Sequence, residues 1–181
     1  LPDCEVRERM IVYGAVKRID CEVELRGWDG SPYREYRIAL PVAVPRGPLG
    51  QVAYDVPMGV VEVGRSEVKG TGGPAYGQLN YDEEMSDIRP REAQNFLSAT
   101  EKDGAGRPIY TVTMSTSVAV NDYADPTSGD AGGPMTSTLL QGVLLASRRS
   151  CHGEGNWYLQ EGDHRYRFSV TSNAASWRSD F

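Results

Sequence analysis

No apolar run in this 181-residue chain approaches the ~18 residues that a membrane-crossing helix needs. Its first residues lack the basic and then apolar order of a signal peptide, so a secreted form would have lost its leader already. Positive charge is in short supply: 19 Lys and Arg stand against 25 Asp and Glu, giving a net charge of -6. That balance argues against a nucleic-acid partner, which asks for a basic face, and against an anionic membrane surface. Cysteine is scarce, with only Cys4, Cys21 and Cys151. An odd count leaves at least one thiol unpaired and allows one bridge, which the sequence does not assign. So few cysteines suit a microbial, viral or intracellular chain better than a disulfide-stapled one. Histidine is scarcer still, with His152 and His164 alone. No fixed-period repeat and no low-complexity tract is present, and patterns of helical period are rare.

What remains is a composition that can fold, with 39% hydrophobic and 24% charged residues. Short β-branched or alternating segments recur at Arg9–Tyr13, Cys21–Leu25, Tyr36–Leu40, Val60–Val63, Ile109–Val120, Leu139–Ala146 and Tyr166–Val170. Turn signals such as Trp28-Asp29-Gly30 and Gly104-Ala105-Gly106 separate them, so the chain reads as an all-β sandwich or barrel. Two helices are expected. One runs from Arg89 to Ala99, capped by Ser86 or Asp87 with Pro90 in its first turn, and a short one covers Ser172–Trp177. Residues 64–87 form the longest irregular stretch; Gly70-Thr71-Gly72-Gly73-Pro74 inside it reads as a flexible loop or linker, since no phosphate-loop Gly-Lys-Ser/Thr follows.

The hexamer Gly129-Asp130-Ala131-Gly132-Gly133-Pro134 resembles the nucleophile loop of the trypsin/chymotrypsin-like serine proteases, with alanine in place of the serine. Asp125 stands six residues before Ala131, where that family places the carboxylate at the base of the S1 pocket. Leu140–Leu144 resembles the strand whose edge pairs with substrate, Tyr166–Val170 with Ser176-Trp177 the last strand and helix, and Arg37-Ile38-Ala39-Leu40 the segment bearing the catalytic aspartate. The resemblance implies two six-stranded β-barrels with a short C-terminal helix. Residues 1–63 would form an N-terminal barrel portion, whole or incomplete, and residues 64–181 the C-terminal barrel. It implies an oxyanion hole from the N–H groups of Gly129 and Ala131, with Asp130 stabilising the loop.

Departures from the family set the expected activity. Alanine at 131 offers no attacking oxygen, arginine replaces the aspartate at 37, Thr127 replaces a bridging cysteine, and both histidines follow the nucleophile position. Without nucleophile or base no acyl-enzyme forms. The resemblance therefore implies an inactive, secreted protease homologue that binds a protein or peptide, without cofactor or metal. A serine endopeptidase inactivated at 131, with its base on a separate N-terminal chain, is the second expectation. A structural β-domain such as a coat protein is the third.

Other constellations have plainer readings. Cys151-His152 and His164 could ligate zinc or pair as nucleophile and base, but no Cys-x-x-Cys accompanies them. Asp82-Glu83-Glu84 with Asp87 reads as a solvated loop, and Asp122 joins Asp125 and Asp130 in a second acidic group. Ser115-Thr116-Ser117 reads as ordinary strand chemistry. Arg148-Arg149 is expected at the rim of the S1-like pocket or in a solvated turn. Trp28, Trp157 and Trp177 are expected anchors, with Trp157 a candidate interface residue.

Overall fold

Residues 20–25 show how this chain chooses its elements. Cys21, Val23 and Leu25 are buried while Glu22 and Glu24 between them reach solvent, so the period of two in the sequence is the two faces of a strand. The computed structural model describes residues 4–45, 49–63, 65–66, 91–123, 138–149, 155–176 and 178. Their strands are β1 (Glu5–Val12), β2 (Arg18–Trp28), β3 (Arg34–Val42), β4 (Gly50–Val56), β5 (Gly59–Glu62) and β6 (Arg91–Glu92). After these come β7 (Phe96–Lys102), β8 (Pro108–Thr116), β9 (Val120–Asp122), β10 (Thr138–Arg149), β11 (Trp157–Tyr158) and β12 (Gly162–Asn173).

All pairings are antiparallel and fall into two sheets. The larger has seven strands in the order β1-β2-β12-β8-β7-β4-β5. The smaller has five, β11-β10-β9-β6 with β3 along the other side of β10. Strands from both sides of residue 63 share each sheet. One core lies between the sheets, with Val23, Leu25, Leu97, Met114 and Phe168 of the first meeting Val42, Leu140, Leu144 and Leu145 of the second. Each fully buried leucine of this set contributes about 1.5–3 kcal/mol.

A close approach of the two sheets lies at Gly142 in the middle of β10. A Cβ there would sit 2.9 Å from both Phe168 Cε1 on β12 and Val118 Cγ2. Both neighbours are buried, so neither can swing away.

Toward the far edge of the larger sheet, polar side chains on the face away from this core bond one another and the segment after β12. Thr100 and Thr111 share a hydrogen bond of 2.7 Å, and Thr111 Oγ1 donates to the Ala175 carbonyl at 2.6 Å. Arg178 reaches the buried Glu62 at 2.8 Å, and Gln51 and Arg65 donate to the same carboxylate. The segment after β12 is thus held on β8 and β5.

This architecture overturns the protease resemblance. Neither sheet closes among the described residues: β1 and β5, at the ends of the larger one, do not pair with each other, and the smaller is open as well. The described residues therefore hold no closed six-stranded barrel, and with it goes the basis for a trypsin-like protease homologue, active or inactive. The strand resembling a substrate-binding edge is β10, which is an interior strand. It pairs with β3 from Thr138 to Ser147 and with β9 at Gln141 and Gly142, so its centre is flanked on both sides.

Neither expected helix forms among the described residues. Within Arg89–Ala99 the described residues hold β6 and the start of β7. Residues 96–100 are buried throughout, which is the signature of a strand covered on both faces and gives no amphipathic period to read. Asp55 fixes the entry to β7, accepting the N–H groups of Asn95 (2.8 Å) and Phe96 (2.9 Å) on one carboxylate oxygen. At the C-terminus, Ser172 and Asn173 continue β12 by pairing with Val112 and Thr111.

Gly142→Ala is expected to cost about 1–3 kcal/mol in urea denaturation, because the new methyl group overpacks a rigid contact. Gly59→Ala, where a Cβ would meet nothing within 4 Å, is the control and should shift the midpoint little.

Candidate functional site: the charged face of β1, β2 and β12

The three strands at one end of the larger sheet carry an ordered pattern of charge on the face away from the core. Register places Arg7 of β1, Glu24 of β2 and Arg165 of β12 in one row, and Arg9, Glu22 and Arg167 in the next. The sequence builds it from three short alternations, Arg-x-Arg at 7 and 9, Glu-x-Glu at 22 and 24, and Arg-x-Arg at 165 and 167. Alternate residues of a strand share a face, so each motif lays two like charges side by side, and antiparallel pairing sets opposite charges across from them.

Each central carboxylate is shared. Glu22 faces Arg9 Nε at 3.4 Å through one oxygen and Arg167 Nε at 3.5 Å through the other. Glu24 accepts from Arg26 Nε at 2.8 Å and faces Arg165 Nε at 3.2 Å. The hydrogen bond from Arg26 holds the Glu24 carboxyl below the usual range, against some desolvation and helped by the charges of Arg26, Arg165 and Arg7. The arginines themselves stay open to solvent, at 77% for Arg165 and 83% for Arg167. Exposed pairs of this kind contribute only ~0–1 kcal/mol each, so stability alone is a weak reason for the pattern. Arg18 and Asp20 lie in the following rows, with Asp20 held below its ordinary range by hydrogen bonds from Ser169 and Tyr13 and the charge of Arg18. With Glu5, paired to Arg7 at 2.7 Å, and Arg26 and Asp163 at the other end, the face carries six arginines and five carboxylates. It is a weakly cationic island on an anionic chain.

At the end of this face an open cleft of about 530 Å³ is lined by Glu24, Leu25, Arg26, Asp163, His164 and Arg165. It lies where the register of β12 against β2 shifts between Gly162 and His164. Asp163 Oδ1 accepts the Gly27 N–H at 2.8 Å, and the His164 ring bonds the Gln160 carbonyl through Nε2. Those bonds tie both side chains to local backbone.

The opposite face of β1 has a different character. Its side chains there are Val6, Glu8, Met10 and Val12, beside Leu25, Val23, Cys21 and Ile19 of β2. Burial stops abruptly between the two strands. Leu25 is 1% exposed and its neighbour Val6 43%; Cys21 is 7% exposed and its neighbour Met10 65%. The smaller sheet covers the core face as far as β2 and leaves β1 uncovered. Among the described residues nothing pairs with the outer edge of β1.

Positions singled out from the sequence fare unevenly. Gly129, Asp130, Ala131 and Asp125 lie outside the described residues, as do Cys151, His152, Trp177, the Gly70–Pro74 loop and the acidic group at 82–87. Arg37, expected where a protease has aspartate, is on β3. Its Nη1 sits 3.2 Å from Asp122 Oδ2 and 3.3 Å from Gln141 Oε1, so it ties β3 to β9 and β10. This is an internal, charge-compensated hub. Beside it, Asn121 Nδ2 donates to the Val118 carbonyl while its buried Oδ1 has no partner among the described residues. Arg148 is exposed near the end of β10 and pairs with Tyr158 of β11. Trp28 is buried and donates Nε1–H to the Leu159 carbonyl, whereas Trp157 is half exposed against Tyr33. No group of His, Cys, Asp and Glu suited to a metal ion occurs among the described residues. Comparison with family models, curated proteins and solved structures returned no match.

Cys21 adds a chemical constraint. Burial pushes its thiol up to about 12, reinforced by the hydrogen bond to Glu8 Oε1 at 3.2 Å and by that carboxylate's charge. A thiol titrating there is protonated across the physiological range, and the thiolate is the reacting form. At pH 8 iodoacetamide should label Cys21 roughly a thousandfold more slowly in the folded protein than in urea, followed by peptide mass spectrometry. For the internal hub, Asp122→Ala removes the buried carboxylate on Arg37 Nη1 while Glu35 stays on Nε, and is expected to cost about 1.5–3 kcal/mol. Arg9→Ala on the surface should cost less than about 1 kcal/mol in the same urea titration.

Proposed function

We propose that this chain is a protein-binding module whose contact surface is the outer face of β1, β2 and β12. The observation that carries the reading is the pair of Arg–Glu–Arg rows. They concentrate exposed guanidinium groups on one face of a chain whose net charge is -6. Such an island steers an acidic partner and fixes its orientation, while the rest of the molecule repels it. Arginine suits the role because its planar fork pairs with carboxylates in two-point contacts and gives up hydration more readily than an ammonium group. The partner is a protein or peptide rather than a nucleic acid, since the glutamates between the arginines would oppose a continuous phosphate backbone.

Titration with fluorescent poly-L-glutamate at low salt tests this reading. Binding is expected, with at least a tenfold loss in the double variant Arg165→Glu/Arg167→Glu and a matching loss on raising the salt to 0.5 M. An unmodified protein that ignores poly-L-glutamate, or that binds duplex DNA as tightly, overturns it.

A further inference from the structure

The charge rows end on arginine at an open sheet edge, and the apolar face of that same strand is uncovered. We propose that β1 takes up an added strand from a partner protein, an extended segment with acidic residues at every second position and apolar residues between them. This rests on the reading of the face as a protein-binding surface, and names the partner's conformation and chemistry.

Three observations converge on that occupant. Across the sheet the outer face runs Arg165, Glu24, Arg7 in one row and Arg167, Glu22, Arg9 in the next, so the next strand in the series meets arginine in both. Carboxylates two residues apart on an incoming strand would lie opposite Arg7 and Arg9 and continue the alternation. On the other face, Val6, Met10 and Val12 are exposed at 43, 65 and 73%, and the one charge among them, Glu8, accepts the Cys21 thiol. The intervening side chains of an added strand would lie beside them, which selects apolar groups. The edge itself offers a strand of eight residues, Glu5–Val12, whose backbone groups on that side meet no partner among the described residues.

A second copy of this chain fits less well. Antiparallel pairing of β1 with itself about a two-fold axis normal to the sheet keeps each face on its own side. Residues that pair must then both be odd or both be even in number. Of the two registers with longest overlap, one sets Arg7 against Arg9 twice and Glu8 against Glu8. The other sets Arg9 against Arg9. Like charges directly opposite are destabilising. The edge rejects itself and accepts a strand of complementary pattern, which is how specificity arises from repulsion as well as attraction.

The test uses the whole chain and three labelled nine-residue peptides at pH 7: alternating valine and glutamate, the same composition in two blocks, and alternating valine and lysine. Fluorescence anisotropy should show the alternating Val/Glu peptide binding at least tenfold tighter than the block peptide. Hydrogen exchange followed by mass spectrometry should show the amides of residues 5–12 slowed in its presence. Arg7→Glu/Arg9→Glu, at exposed positions whose change leaves circular dichroism unaltered, should lose the Val/Glu peptide at least tenfold and gain the Val/Lys peptide. Equal binding of alternating and block peptides, or binding without protection of residues 5–12, overturns strand addition while leaving the acidic-partner face standing. Failure of the Val/Glu peptide while poly-L-glutamate still binds does the same. Failure of both ligands removes the two readings together.

Discussion

The approach of β10 to β12 at Gly142 governs this molecule. With no side chain at that position, the Phe168 ring and Val118 pack onto the β10 backbone and the two sheets close on a common core. A residue with a Cβ would press on that contact, on a strand whose Leu140, Leu144 and Leu145 are buried as well. The internal hub of Arg37, Asp122 and Gln141 lies on the same smaller sheet and joins β3, β9 and β10 into one layer. Packing thus fixes the separation of the layers, and the polar hub fixes the order of strands within one of them.

The unequal width of the two sheets follows through to the surface. Five strands, two of them only two residues long, cannot shield seven. The shortfall lies at β1, where inward-facing apolar side chains lose their cover between one strand and the next. A strand left in that position is a hazard for edge-to-edge association, and natural edges are commonly guarded by charge. Here the charge is arranged in rows that opposite signs on a neighbour would continue. Guarding against the wrong strand and receiving the right one are then the same device.

Much of the secondary structure was legible because alternation survives wherever one face of a strand is wet. Residues 21–25, 36–40 and 166–170 show this, and each forms part of a strand. Legibility failed where both faces are covered. Phe96–Thr100 has no polar beat, and its alanine and leucine suggested a helix. Gly50–Val56 passed unnoticed for a related reason, with four consecutive buried residues including the aspartate that holds the start of β7. The protease-like hexamer misled because a short glycine-rich sequence can be written into many folds, whereas barrel closure depends on strand pairing, which no hexamer encodes. The arginine and glutamate doublets were present in the sequence as Arg-x-Arg and Glu-x-Glu. They became a surface only when pairing set residues 7, 24 and 165 side by side.

The pairing of β2 with β12 has a consequence for how the chain acquires its structure. The partner of residues 18–28 is made some 140 residues later, and it sits between β2 and β8, in the interior of the larger sheet. As the polypeptide leaves the ribosome, the β1–β2 hairpin must wait, with the side of β2 that β12 will occupy unmatched, until residues 162–173 have been made. Long-range closures of this kind are slow, and strand edges left open meanwhile invite association with other chains. A message truncated before residue 162 would yield a product split along the middle of its main sheet, a natural substrate for chaperones and degradation.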